Sequence, residues 1–147
     1  MRKKFLFWSV MIVFPIVVGL IVYLIFKPSA YVSKLIIDCL GLEEINIQTS
    51  NNWFWNYIHY YLCDFLWAFS LTSVVALILD NNRFKAFLSV LICSFVGTIV
   101  ELMQMWKFIS GTFDIVDLVV EFIGSILSII IVMIYLRRNQ NEKKQIL

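Results

Sequence analysis

Four long apolar runs separated by short polar breaks set the pattern of the chain: Phe5 to Phe26, Tyr60 to Leu79, Ala86 to Trp106 and Phe113 to Leu136. Each approaches or exceeds the roughly 20 residues a helix needs to cross a hydrocarbon core of about 30 Å. In lipid a spanning segment has to satisfy its backbone polar groups internally, which predicts helices. The expected architecture is an all-α membrane protein, a four-transmembrane-helix bundle forming one membrane domain over residues 1–147. Arg2, Lys3 and Lys4 before the first run also suit a secretory signal. The run is too long for a typical signal core, and Pro28-Ser29-Ala30 is a poor cleavage match, so an uncleaved span is expected, with Pro15 and Gly19 tolerated inside it.

The breaks have their own signals. Asp80 to Lys85 is a short polar link predicting a tight helical hairpin, and Ser110-Gly111-Thr112 is a turn. Arg137 and Arg138 stop the last run, leaving the polar tail 137–147, expected to fray beyond Asn139. Trp53, Phe54, Trp55, Tyr57, Tyr60 and Tyr61 crowd the entry to the second span and mark a headgroup zone. In the longest loop, residues 27–52, Val32, Leu35, Ile36 and Cys39 fall at helical spacing, with Ser29 as an N-cap and Gly41 as a stop. They predict a short interfacial helix over Tyr31 to Leu42, lying on the membrane or packed on the bundle.

Composition agrees: 61% hydrophobic residues, 15% charged residues and a mean hydropathy of +0.87 exclude an ordinary soluble domain. Charge adds orientation. With the N-terminus inside, Arg2, Lys3, Lys4, Arg83, Lys85, Arg137, Arg138, Lys143 and Lys144 are cytoplasmic, nine of twelve basic residues; Lys27, Lys34 and Lys107 are outside. The positive-inside rule therefore predicts N-in/C-in, with the 27–52 loop extracytoplasmic. The bilayer is the expected environment, and nucleic acid is not an expected partner. Cys39, Cys63 and Cys93 lack metal-site spacing and are expected as unpaired thiols rather than a Cys39 to Cys63 disulfide. No metal site or cofactor is expected.

Charged residues inside spans cost about 2.5–3.5 kcal/mol each at the centre on insertion scales, so each needs a reason. Here they are Asp64, Glu101, Asp114, Asp117 and Glu121. Counting along the helices puts Glu101 roughly 7 Å inward of Trp106 and Glu121 roughly 10 Å inward of Asp114, a shared outer layer with Asp64. Helical phase collects them on one face of each helix: Asp114, Asp117, Glu121, Gly124 and Ser128; Ser89, Cys93, Gly97, Glu101 and then Gln104; Asp64, Ala68, Thr72 and Ala76. Small residues at such spacing line helix–helix seams, so the acids are expected to face the bundle interior. The basic residues near this layer are Lys107 and His59, both at the interface. The functional reading is a pocket for a cation, proton or amine formed by Glu101, Gln104, Asp117, Glu121, Asp64 and Asp114; the structural one is hydrogen-bonding glue, favoured for Asp114. Soluble-enzyme signatures are missing, and one His leaves no His-based pair.

The residues Glu101-Leu102-Met103-Gln104, Gly111 to Asp117 and Gly124 resemble the C-terminal signature of the VanZ-like family, with its E-x-x-Q and G-R/T-x-x-D-x-x-D patterns. Tyr60 to Ser70 also looks like a second span of related proteins, so the resemblance covers Tyr57 to Tyr135. Many relatives carry Arg where Thr112 stands and Asn where Glu121 stands; an Arg would partly neutralise the acids. The resemblance implies a multi-pass protein of the bacterial cell membrane, in a family named for a protein linked to glycopeptide resistance. The expected function is non-enzymatic binding of a cation or cationic group in an outer acidic pocket, tied to glycopeptide response. The alternatives are an accessory subunit with a membrane protein partner, or a membrane-embedded enzyme acting on lipid-linked or envelope substrates.

Overall fold

The computed structural model describes residues 2–26, 35–36, 38–39, 41, 53–79, 83–109 and 112–145. Among these, four long helices follow in order: α1 (Arg2–Phe26), α2 (Trp53–Ile78), α3 (Arg83–Met105) and α4 (Ile115–Gln145). Each holds a stretch long and apolar enough to cross a membrane: Lys4–Ile25, Tyr61–Ile78, Phe84–Met105 and Ile115–Arg138. The spans fall close to the expected limits, while two helices extend beyond them. Helix α2 starts at Trp53, about two turns before Tyr60, and α4 runs on to Gln145 instead of fraying after Asn139. Glu142, Lys143, Lys144 and Gln145 are good helix formers, so a helix already nucleated in the apolar segment propagates through them.

Most of the loop helix expected over Tyr31 to Leu42 lies outside the described residues, as do Asp80 to Asn82, Ser110 and Gly111. Within it, Leu35, Ile36, Asp38 and Cys39 are helical. Gly41 takes a left-handed φ of 61° and donates its N–H to the Asp38 carbonyl at 3.3 Å, as a helix-ending glycine does.

The helices alternate in direction, with α2 at the centre, packed against α1, α3 and α4, while α3 also packs on α4. Ser70 Oγ donates to the Ile12 carbonyl at 2.9 Å and Cys63 Sγ to the Gly19 carbonyl at 3.7 Å, so α1 runs antiparallel to α2. Stacked rings of Phe7 and Tyr135, 3.7 Å apart, tie the start of α1 to α4. The starts of α1 and α3 and the ends of α2 and α4 thus meet at one end of the bundle, the end that carries Lys4, Lys85, Arg137 and Arg138.

The interior combines an apolar cluster, Trp8, Met11, Phe69, Val90, Ile129 and Val132, with many small and polar residues. Ala68, Thr72, Ala76, Ser73, Ser89, Cys93, Ser125 and Ser128 are buried, whereas Phe5, Phe14, Phe84, Phe87, Phe95 and Ile123 point outward. Lipid is as apolar as these large side chains, so burying them gains little; helices associate where small residues let backbones approach. At Gly124 an added Cβ would lie 2.7 Å from the Phe65 carbonyl oxygen of α2. No disulfide joins the described cysteines.

Candidate functional site

Helix α4 opens with a side-chain cap. Asp114 immediately precedes Ile115, and its Oδ1 accepts the Val116 N–H at 2.9 Å, satisfying one of the free donors of the first turn. Its other carboxyl oxygen accepts from the Tyr61 hydroxyl of α2 at 3.2 Å, and its backbone N–H donates to Glu101 Oε2 of α3 at 3.1 Å. One residue therefore fastens three helices where their ends meet. The sequence placed Asp114 inside the fourth span; it stands one residue outside the helix because a capping carboxylate takes a non-helical position.

The opposite chain end of α3 from its basic start brings Glu101 into this layer, where it is only 3% exposed. Glu121 of α4 is 7% exposed, and its carboxyl group occupies the space that a side chain at Gly97 would fill. The charged groups acting on Glu121 are the acids Asp64, Glu101 and Asp117. The structure bonds Asp114 to Glu101, sets the Glu121 carboxyl over Gly97, and leaves Asp64, Glu101 and Asp117 within electrostatic reach of Glu121.

Gln104 joins none of these hydrogen bonds. It lies half-buried in the last turn of α3, where its carbonyl accepts the Lys107 N–H at 2.9 Å while Phe108 N–H reaches the Met103 carbonyl at 2.9 Å. That double closure puts Lys107 in the left-handed region, φ 58°, and leaves its side chain exposed. The side chain of His59 lies outside the described residues.

Two contributors were not singled out from the sequence for the roles they take here. Tyr61 reads as one aromatic of an interface belt, yet it bonds Asp114; its position three residues before Asp64, on the same helical face, is the signal. Gly97 reads as a seam residue but is the seat of a carboxyl group. Further along the seam, Ser73 Oγ and Ser128 Oγ share a hydrogen bond of 2.8 Å, and Cys93 Sγ donates to the Ala68 carbonyl at 3.5 Å. The buried hydroxyls of Thr72 and Ser125 have no protein partner among the described residues.

Carboxyl groups sharing a poorly hydrated space repel one another when ionised, and a shared proton or a bound cation relieves the repulsion. Among the described residues no three His, Cys, Asp or Glu side chains are arranged to hold a metal ion. Comparison with known proteins finds no matching family model, no matching curated protein and no matching solved structure.

Proposed function

We propose that the chain is a non-enzymatic VanZ-like protein of the bacterial cell membrane, with both termini cytoplasmic. In this reading its acidic cluster takes a cation or cationic group from the outer side and bears on how the envelope responds to glycopeptide antibiotics. The observation that carries the binding reading is the buried Glu121 carboxyl seated on Gly97 with Asp64, Glu101 and Asp117 acting on it. A purely structural acid has no need of three acidic neighbours. Orientation rests on the basic end of the bundle, which the positive-inside rule assigns to the cytoplasm and which leaves the acids toward the outside. The short interfacial helix belongs to the same reading, supported by the helical residues around Asp38 and the left-handed Gly41.

A second reading, an accessory subunit whose acids are interhelical glue, is favoured by the bonds of Asp114 and Glu101 to backbone N–H groups. Thermal stability of the purified protein across pH, with and without sodium or spermidine, separates the two in wild type, Glu101→Gln, Asp117→Asn and Glu121→Gln. Under the binding reading at least one folded variant loses the cation-dependent stabilisation. If all three keep the wild-type response, the acids are glue and the pocket does not exist.

A further inference from the structure

A groove of about 430 Å³ lies at the basic end of the bundle, between the first turns of α1 and the last turn of α2, lined by Lys4, Phe5, Trp8, Ser9, Ile12, Val13 and Leu77. It lies at the end opposite the acidic cluster and has a different chemistry. Lys4 is exposed at one end, and the walls beyond Ser9 are apolar. Trp8 is 7% exposed, and its indole N–H meets no acceptor among the described residues. We propose that this groove binds an anionic phospholipid of the adjoining leaflet, its headgroup on Lys4 and one acyl chain along Ile12 and Val13.

The order of chemistry along α1 carries the assignment. At about 1.5 Å per residue, Trp8 and Ser9 lie roughly 6–8 Å deeper than Lys4, and Val13 roughly 14 Å deeper. A phospholipid presents the same sequence: anionic phosphate, then ester carbonyls that accept hydrogen bonds, then hydrocarbon. Lys4 meets the phosphate, the half-buried Ser9 hydroxyl lies at ester depth, and Ile12 and Val13 meet the chain. Charge complementarity selects an anionic headgroup, because Lys85, Arg137 and Arg138 share this end and no acid lines the groove. A second copy docking two-fold through this face would set Lys4 against Lys4.

Native mass spectrometry of the purified protein with phosphatidylglycerol and with phosphatidylcholine of the same chains tests the assignment. Wild type is expected to prefer phosphatidylglycerol. Lys4→Gln, at an exposed position, should weaken phosphatidylglycerol binding about fivefold, the worth of one basic residue at an anionic surface, and leave phosphatidylcholine unchanged. Val13→Trp fills the groove from a position 54% exposed and should weaken both lipids without unfolding the bundle. Equal binding of the two lipids by wild type, or an equal loss in Lys107→Gln at the other end, overturns the proposal, as does a lipid-independent dimer abolished by Val13→Trp.

Discussion

Gly97 and Gly124 are both seam glycines, and what each one faces differs. At Gly124 the neighbour is the backbone carbonyl of Phe65, which cannot retreat without moving α2. At Gly97 the neighbour is the end of the Glu121 side chain, which has rotamers to use. Gly124→Ala is therefore expected to lower stability by about 1–3 kcal/mol, the usual cost of overpacking. Gly97→Ala should cost less, because alanine is the better helix former by about 1 kcal/mol and offsets part of the displacement. Thermal melts in detergent read the first difference. The cation response of the Gly97→Ala protein reads the second: it should weaken, since Glu121 has lost its seat. Equal melting temperatures for the two variants would mean that the α2–α4 contact is looser than described.

At the scale of the element, α4 depends on how it starts. Its first turn is held by one carboxylate that also receives Tyr61 from α2, so cap and interhelical clasp are the same group. Asp114→Ala removes both and is expected to destabilise by about 1–2 kcal/mol, whereas Asp114→Asn keeps a capping oxygen and should cost much less. Chemical denaturation of the two variants side by side checks this. If asparagine fares as badly as alanine, the negative charge matters more than the cap. Capping, Gly41 and the left-handed Lys107 were accessible to sequence reasoning in different degrees. Gly41 announces a helix stop by its identity, while Lys107 is placed in the same conformation by the double hydrogen-bond closure of α3, which no preference of lysine signals.

For the molecule as a whole, small and polar residues and two carboxyl groups share the interior with a cluster around Trp8, Phe69, Ile129 and Val132, while many large apolar side chains, such as Phe5, Phe84, Phe95 and Ile123, cover the outside. Such a surface is stable only in lipid, and its polarity along the membrane normal is set by the basic end. Reporter fusions after Arg83 and after Leu147 are expected to read cytoplasmic, and one near Thr49 should read external. A cytoplasmic signal near Thr49 would invert the proposed orientation, moving the acidic cluster to the inner leaflet and the lipid groove to the outer one.

Read as a linear pattern, the chain determined the number and approximate limits of its spans, because length and apolarity are local properties and a bilayer imposes one minimum on every crossing segment. It also determined inward faces for α2 and α3: Ser89, Cys93, Gly97 and Glu101 on α3, and Ala68, Thr72 and Ala76 on α2, are buried as their spacing predicts, while Asp64 and Gln104 on the same faces are half-buried. Periodicity carries phase without any knowledge of neighbours. Only the tertiary structure decided which inward faces meet, and so made α2 the central helix, seated Glu121 on Gly97, left Gln104 out of the hydrogen bonds around Asp114 and turned Tyr61 into the partner of that cap. Those outcomes depend on helix order around the bundle and on axial offsets of a few ångströms, which arise from the fit of side chains contributed by segments far apart in the sequence.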